Sequence, residues 1–257
     1  PMARMQRLHE PKRMRNLALV GPAGSGKTSL LERLLHRAGE IANPGSVEAG
    51  TTVSDCQEQE KLLGHSVDVG VCHLHFDGTV ANLLDTPGLP DLIGRSLSVL
   101  SAVETAVVVL DARTGIDWVA ERVMEAAATS RLCRLVVINK IDAPGAAPET
   151  VLRSLVERFG PCCLPLNLPA RNGQAVADCF FEPADETPDF ATVQSAHTAI
   201  MDQVIELDDA LMERYLEQDQ DIDLEALHDP FERALRRGHL IPVCFTSAVT
   251  GAGVRQL

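Results

Sequence analysis

Eight residues near the start of the chain have the composition of a phosphate-binding loop. Residues 21–28 read Gly-Pro-Ala-Gly-Ser-Gly-Lys-Thr and lie between an apolar run, residues 16–20, and an amphipathic helix predicted for Lys27–Arg37. Glycine lets the backbone turn its amides toward phosphate oxygens, and the amino end of the helix attracts the same negative charge. The alternative is that a glycine-rich turn between a strand and a helix has this composition by chance and binds no phosphate. The predicted phosphate-binding residues are Gly21, Ala23, Gly24, Ser25, Gly26, Lys27, Thr28 and Ser29.

Two side chains of this loop have predicted chemical roles. Lys27 is expected to reach the β- and γ-phosphates, which makes it a candidate catalytic residue, and the Thr28 hydroxyl is expected to bind Mg²⁺. A second segment, Asp-Thr-Pro-Gly at residues 85–88, follows the apolar run 80–84. Asp85 therefore lies at the carboxyl end of a strand, where it can hold Mg²⁺ through water. Gly88 has no side chain, so its amide can approach the γ-phosphate, and it is the other candidate catalytic residue.

A third segment, Asn-Lys-Ile-Asp at residues 139–142, distinguishes guanine from adenine. An ionised Asp142 accepts hydrogen bonds from guanine N1–H and the 2-amino group, whereas adenine would leave the carboxylate unpaired. Lys140 can lie along the base, and Asn139 can connect this loop to the phosphate loop. A final strand leads into Thr246-Ser247-Ala248, and the amides of Ser247 and Ala248 are predicted to contact guanine O6. The alternative, an ATP-dependent enzyme, requires Asp142 to have no function.

The elements around these motifs predict an α/β fold of the P-loop NTPase G-domain type. We expect a mostly parallel, doubly wound sheet with helices on both faces and an antiparallel hairpin at residues 67–84. The predicted organisation is a basic arm at residues 1–15, a G domain at 16–159, an inserted subdomain at 160–239, and a return to the G domain at 240–257. A strand-like segment at 162–168 opens the insert. Two apolar helical stripes follow it: Val193, Ile200, Val204, Leu207, Leu211 and Tyr215, then Leu224, Leu227, Phe231 and Leu235.

Charge is concentrated in this insert. Residues 178–229 contain 16 acidic residues and one basic residue, against 36 and 23 in the whole chain, whose net charge is -13. One explanation is a solvated acidic face. The other is an acidic docking surface for a basic protein. Such a surface would also repel RNA phosphates.

Composition indicates a cytoplasmic protein with free thiols. The 257 residues are 45% hydrophobic but contain no apolar run of membrane-spanning length, and the seven cysteines include no Cys-x-x-Cys pair. The basic start of the chain lacks the apolar core of a secretory signal. We therefore predict no membrane partner and a monomer.

From residue 16 onward the chain resembles the nucleotide-binding domain of elongation factor G, and most closely the divergent elongation-factor-G-like proteins of bacteria. The resemblance rests on the three motifs above, Gly50-Thr51-Thr52 in a first switch, Phe159-Gly160-Pro161 before the insert, and the segment from Ile241 to Val254. It implies GTP and GDP as ligands with Mg²⁺, the ribosome as partner, and a stalk ribosomal protein as the partner of the insert. It also implies that the full-length protein has further domains after this one.

Three departures from the family pattern bear on mechanism. After Asp-Thr-Pro-Gly the family has a histidine that orients the attacking water, whereas this chain has Leu89. Loss of such a group typically slows the reaction about 10²- to 10⁴-fold. Gly24 replaces an Asp that helps to hold a monovalent cation in the family. In the first switch, Leu63-Gly64-His65-Ser66 matches Arg-Gly-Ile-Thr, so Ser66 is the candidate Mg²⁺ ligand, with Thr51 and Thr52 as rivals and a plain surface serine as the alternative.

The sequence therefore predicts a translational GTPase with weakened hydrolysis. The alternative is a GTP-gated binding module for which hydrolysis matters little. His65 is a weaker candidate for replacing the missing histidine. His73 and His75 alternate on a strand and are expected to face solvent and not to bind a metal, because no third ligand lies near them in sequence.

Overall fold

The computed structural model describes residues 13–55, 57–181, 186–208, 211–213 and 224–257, with only the backbone for 224–226. Its strands are β1 Met14–Val20, β2 Gly70–Phe76, β3 Thr79–Asp85, β4 Thr105–Asp111, β5 Cys133–Asn139, β6 Cys163–Pro165, β7 Asn167–Ala170, β8 Ala175–Asp178 and β9 Ile241–Phe245. Seven of them form a central sheet in the order β2-β3-β1-β4-β5-β9-β6, and β7 and β8 form a separate hairpin. In the central sheet β2 runs antiparallel to its neighbour and the other pairs are parallel. This confirms the predicted mixed, mostly parallel α/β sheet.

Besides the helical residues 211–213, the described part of the chain contains seven α-helices. They are α1 Lys27–Arg37, α2 Glu58–Leu63, α3 Ile93–Ser98, α4 Trp118–Thr129, α5 Pro148–Phe159, α6 Val193–Ile205 and α7 Leu224–Arg236. Two of their amino ends are capped by a local side-chain oxygen: the Asp117 carboxylate accepts from Ala120 N at the start of α4, and the Thr192 hydroxyl accepts from Ser195 N at the start of α6.

Successive side chains of the central strands point to opposite faces of the sheet, as the two-residue period of a strand requires. Val108 and Ile138 belong to the buried cluster that contains residues of α4 and α5, whereas Val107 and Val137 belong to the cluster that contains Leu30 and Leu31 of α1. Helices therefore cover both faces, as predicted. The carboxyl ends of the parallel strands all emerge at one edge, and the loops that follow them meet there.

The region predicted as an insert is built partly from the main sheet. The single strand-like segment 162–168 is two strands: β6 pairs with β9 at the edge of the sheet, and β7 pairs with β8 in the hairpin. Helices α6 and α7 share a buried cluster with Cys244 of β9 and with Leu240, which lies directly before that strand. Burial of Ile200, Val204, Leu211 and Leu227 matches the predicted stripes. Tyr215 and much of the acidic stretch lie outside the described residues.

The structure refines the bounds of two predicted elements. The antiparallel hairpin runs from Gly70 to Asp85 and not from residue 67. β1 begins at Met14, within the predicted arm, whose residues 1–12 lie outside the described part of the chain. The described cysteines are free, with Cys56 not described. None of the helices in the described ranges has both the length and the apolar character to cross a membrane.

Candidate functional site

The predicted phosphate loop and the Asp-Thr-Pro-Gly turn are in direct contact. Ala23 N donates to Gly88 O at 2.9 Å. A Cβ placed on Gly88 would overlap Ala23 N and lie 2.5 Å from Lys27 Nζ and 2.6 Å from Pro22 C. Only glycine fits this close approach without moving the phosphate loop. The structure thus brings both candidate catalytic residues, Lys27 and Gly88, to the same point.

Lys27 is buried at the centre of the phosphate loop, with 6% of its surface exposed. Its Nζ donates to Gly21 O at 2.9 Å and to Pro22 O at 2.8 Å. Burial lowers the pKa of Lys27 to about 8, and the carboxylate of Asp85 acts in the opposite direction. An ammonium in so dry a position gains strongly from an anionic ligand such as a phosphate.

The predicted metal ligands form one group of oxygen atoms. Thr28 Oγ1 donates to Asp85 Oδ2 at 2.7 Å, and its distance to Ser66 Oγ is 3.3 Å. The structure therefore brings Thr28, Ser66 and Asp85 together, although they are far apart in sequence. The rival hydroxyls make other contacts. Thr51 Oγ1 accepts from Ser46 N at 3.0 Å, and Thr52 Oγ1 donates to Asp55 Oδ2 at 3.4 Å, so Thr52 is connected to this group only through Asp55.

Two further residues of this group were missed by the sequence analysis. Ser54 Oγ donates to Asp85 Oδ2 at 3.0 Å, and Ser66 Oγ donates to Asp55 Oδ1 at 2.7 Å. Both Ser54 and Asp55 are buried and belong to a run of four polar residues and one valine, Thr51 to Asp55, in the segment predicted as the first switch. That run was a usable signal, because a carboxylate next to switch hydroxyls is itself a candidate cation ligand.

The group has the properties of a site for a hard cation. Asp85 Oδ1 is buried without a hydrogen-bond partner among the described residues. Burial raises the pKa of Asp85 to about 6, against the hydrogen bond from Thr28, and the negative charge of Asp55 adds to the increase. The charge of Lys27 also lowers the pKa of Asp85, but two buried carboxylates near each other remain costly unless a cation joins them. Oxygen ligands of this kind suit Mg²⁺.

Glu32 of α1, also missed from sequence, organises the loop that carries Asp55. This carboxylate is 1% exposed. It accepts hydrogen bonds from Gly45 N and Val53 N on opposite sides of the loop. The loop is thereby attached to the helix that begins at the phosphate loop. No local pattern distinguishes Glu32 from the solvent-facing residues of an amphipathic helix.

Asn139 joins the phosphate loop to the two loops at the predicted base site. It is fully buried. Its Nδ2 donates to Ser25 O at 2.9 Å, and its Oδ1 accepts from Thr246 Oγ1 at 3.2 Å and from Ala248 N at 3.0 Å. The structure contains the predicted connection from Asn139 to the phosphate loop and extends it to the last loop.

Lys140 makes contacts that sequence reasoning did not foresee. Its Nζ donates to Gly24 O and forms an ion pair with Asp111 Oδ2 at 3.1 Å. Burial tends to raise the pKa of Asp111, but hydrogen bonds from Arg113 and Lys140 outweigh it and hold that pKa at about 2. The charged end of Lys140 is therefore fixed over the phosphate loop, and its aliphatic stem is the part left to lie along a base.

Asp142 follows Lys140 and is half-buried. Within the described ranges no hydrogen bond or ion pair involves its carboxylate, in contrast to the neighbouring Asn139 and Lys140. Because the Asp142 carboxylate has no such partner, it is suited to accept hydrogen bonds from a ligand with two adjacent N–H donors.

The amides of the last loop already have partners inside the protein. The amides of Thr246, Ser247 and Ala248 donate within the protein, to Ile138 O, Ala252 O and Asn139 Oδ1. The predicted donation to guanine O6 from Ser247 or Ala248 would have to share or replace one of these bonds. Arg33 of α1 donates to Ala248 O, at 2.9 Å from Nε, and holds the loop against the first helix.

The remaining candidates lie as follows. Leu89 is partly exposed directly after Gly88 and caps the short 3₁₀ helix Pro90–Leu92. His65 Nδ1 is 3.3 Å from the carbonyl of Ser66. His73 and His75 are both exposed on the edge strand β2, as predicted, and His75 is paired with Glu40 at 2.7 Å.

Comparison with known proteins decides the family. The model of the elongation factor Tu GTP-binding domain matches residues 12–257. The chain belongs to this translational GTPase family. Membership implies that this G domain binds guanine nucleotides, in agreement with the arrangement of Asn139 and Asp142.

Individual relatives agree with this assignment. An elongation factor G-like protein of Mycobacterium tuberculosis is 36% identical over 96% of this chain and 36% of the relative. A peptide chain release factor 3 of Streptococcus pyogenes is 32% identical over 98% of this chain and 49% of the relative. A crystal structure from Thermus thermophilus superimposes with a TM-score of 0.83 and 35% identity, covering 94% of this chain and 38% of that one. The G domain thus spans between a third and a half of these relatives.

Proposed function

We propose that this G domain binds GTP and GDP with Mg²⁺ and serves an elongation factor G-like translational GTPase with weakened intrinsic hydrolysis. The observation that carries the proposal is the convergence of three chemistries on one edge of the sheet. Lys27 and the phosphate loop suit the β- and γ-phosphates, the oxygens around Asp85 suit a divalent cation, and Asp142 suits guanine. An adenine nucleotide would satisfy only the first two.

Thr28, Ser66 and Asp85 would hold the metal ion, with Asp55 and Ser54 as their hydrogen-bonding neighbours. When bound, Mg²⁺ neutralises negative charge on the β- and γ-phosphates. The protein's own residues have three further roles. Lys27 supplies a fixed positive charge, the Gly88 amide senses the γ-phosphate, and Asn139 holds the base loops and the phosphate loop together.

Slow hydrolysis follows from Leu89. A leucine has no hydrogen-bonding group, so it cannot orient an attacking water. The GTP form should therefore persist after binding. This supports the second candidate, a GTP-gated binding module in which the triphosphate state matters more than its hydrolysis.

We infer the partner from the relatives, whose names are those of factors in protein synthesis. The ribosome is the proposed partner, and the acidic stretch at residues 178–229 is the proposed docking surface for a basic ribosomal protein or a stalk ribosomal protein. Its 16 acidic residues against one basic residue support an electrostatically steered encounter. The chain is proposed to act as a cytoplasmic monomer.

The test compares nucleotides on the 257-residue chain. Calorimetry should give tight binding of GDP and of a non-hydrolysable GTP analogue, both weakened when Mg²⁺ is removed with EDTA, and no measurable binding of ADP or ATP analogues. Equal affinity for guanine and adenine nucleotides would overturn the proposal. Single-turnover hydrolysis of GTP, with and without ribosomes, then separates a slow GTPase from a module that only binds.

A further inference from the structure

The β7–β8 hairpin touches both loops of the predicted guanine site. At its base, the buried Asn167 side chain pairs with the backbone of Phe245: Oδ1 accepts from Phe245 N at 2.7 Å, and Nδ2 donates to Phe245 O at 3.2 Å. Phe245 is the last residue of β9, directly before Thr246-Ser247-Ala248. The base of the hairpin is therefore attached to the strand that ends in the last loop.

The tip of the hairpin is attached to the other loop. Gly173 is buried although its neighbours Arg171, Asn172 and Gln174 are exposed. A Cβ on Gly173 would overlap Ile141 O and lie 2.6 Å from Ile141 C and 3.1 Å from Asp142 N. The tip is thus pressed against the peptide unit that immediately precedes Asp142. A side chain in that position would have to push the peptide away.

The turn at the tip of the hairpin is held in this shape by a carboxylate from outside the turn. Arg171, Asn172 and Gly173 all have positive φ, at 54°, 55° and 76°. Consecutive left-handed residues are costly, so the conformation needs support. Asp189 supplies it, because its carboxylate accepts from Asn172 N at 2.9 Å and from Gly173 N at 3.0 Å. An isolated bridge between Ala170 and Pro188 keeps Asp189 beside the turn.

We propose that the β7–β8 hairpin is a positioning element for the guanine-reading carboxylate, with Gly173 and Asp189 as its positioning residues. This inference rests on the proposed guanine specificity of Asp142. The proposed effect on the nucleotide is indirect, through the backbone of the Asn-Lys-Ile-Asp loop. It determines where the peptide between Ile141 and Asp142 lies, and that peptide sets the direction in which the Asp142 side chain leaves the backbone.

The consequence is specific to the base and not to the phosphates. The phosphate loop contacts Asn139 and Lys140, whereas the hairpin tip contacts Ile141 and Asp142. Displacing the tip should therefore disturb the hydrogen bonds to guanine N1–H and the 2-amino group first. A hydrogen bond to a charged acceptor is sensitive to such misalignment.

The test uses two glycine variants of this G domain. Gly173→Ala adds the methyl group that meets Ile141. Gly145→Ala is the matched control, because Gly145 also has positive φ, at 81°, lies three residues after Asp142, and has no atom within 4 Å of the added Cβ. Both variants carry a similar backbone cost, so their difference reports the contact with Ile141.

The measured quantity is the ratio of affinities for GDP and inosine diphosphate, which lacks the 2-amino group. The ratio in Gly173→Ala should fall by about tenfold, the size expected for one charged hydrogen bond, while Gly145→Ala keeps the ratio of the unmodified chain. A general loss of stability would weaken both nucleotides together and leave the ratio unchanged, and that result would overturn the inference.

A second variant covers the case in which Gly173→Ala does not fold. Asp189→Ala removes both acceptors of the turn from an exposed position and should lower the GDP to inosine diphosphate ratio in the same direction. Asp77→Ala, at the exposed turn of the β2–β3 hairpin, is its control and should leave the ratio unchanged. An unchanged ratio in Asp189→Ala overturns the inference and leaves the proposed function intact. If the unmodified chain itself does not prefer GDP to inosine diphosphate, both the inference and the guanine assignment fail.

Discussion

Replacing Asn139 by alanine should damage both the stability of the fold and the binding of nucleotide. The side chain is fully buried and makes three hydrogen bonds, to Ser25 O, Thr246 Oγ1 and Ala248 N. Each partner left unsatisfied in a buried position costs about 1–3 kcal/mol, and the effects within one network are not additive. We expect a loss of about 3 kcal/mol in the free energy of unfolding. In a chain of this size each 1 kcal/mol lowers Tm by roughly 2–4 °C, so Tm should fall by roughly 6–12 °C.

Two comparison variants show which part of the network matters. Asn139→Asp keeps the acceptor for Thr246 and Ala248 but turns a carboxylate oxygen toward Ser25 O, so it should recover part of the stability and none of the attachment to the phosphate loop. Asn82→Ala is the control, since its amide also bridges two strands, donating to Asn16 Oδ1 at 2.7 Å, but lies away from the loops.

The assays are urea unfolding for stability and fluorescence titration with a labelled GDP for affinity. Asn139→Ala and Asn139→Asp should both bind GDP at least about tenfold more weakly, a loss of ~1.4 kcal/mol. Asn82→Ala should bind it normally. If Asn139→Ala loses no more stability than Asn82→Ala and binds GDP as the unmodified chain does, then Asn139 does not join the loops in solution and the argument is wrong.

Four further predictions test separate parts of the site. Asp142→Asn should move preference from guanine to xanthine nucleotides, measured as the ratio of GDP to xanthosine diphosphate affinity, because the amide presents a donor where guanine needs an acceptor; an unchanged ratio would contradict the role of Asp142. Lys27→Ala should abolish tight triphosphate binding and Thr28→Ala should weaken its Mg²⁺ dependence, since each faces the β- and γ-phosphates, and unchanged calorimetric affinity in both would show that the loop binds something else. The rate of association of the acidic stretch with a stalk ribosomal protein should fall steeply with salt, because exposed charges are screened within about 8 Å at physiological ionic strength, and a salt-independent rate would leave only a solvated face. Leu89→His should raise single-turnover GTP hydrolysis, measured with ribosomes present, with little change in affinity, because the added group acts on the transition state; rapid hydrolysis by a Leu89→Ala, His65→Ala double variant would show that another group orients the water.

The sequence alone determined the features that depend on neighbouring residues. The phosphate loop, the helix Lys27–Arg37 and the position of Asp85 and Asn139 at strand ends all agree with the structure. The alternation and helical periodicity of apolar residues also predicted which stripes are buried. These properties are local: a glycine-rich turn between a buried strand and an amphipathic helix has few other conformations open to it.

Only the tertiary structure decided which distant residues meet. Asp55 and Ser54 join the oxygen group around Asp85 because the loop that carries them is attached to Glu32. The hydroxyls beside Asp55 make it a candidate cation ligand, but they do not indicate that it meets Ser66 or that Ser54 meets Asp85. The segment 162–168 divides between two sheets because β9, far along the chain, provides the partner for β6.

The guanine loops show the same limit most clearly. Asn-Lys-Ile-Asp can be recognised as it stands, but its support comes from the tip of a hairpin well beyond it in sequence, where Gly173 packs against Ile141. The amides of Ser247 and Ala248 are already paired, which no short motif reveals. Hydrogen-bond partners and close approaches of backbone to backbone arise only when the chain has folded, so residue types and spacing cannot specify them in advance.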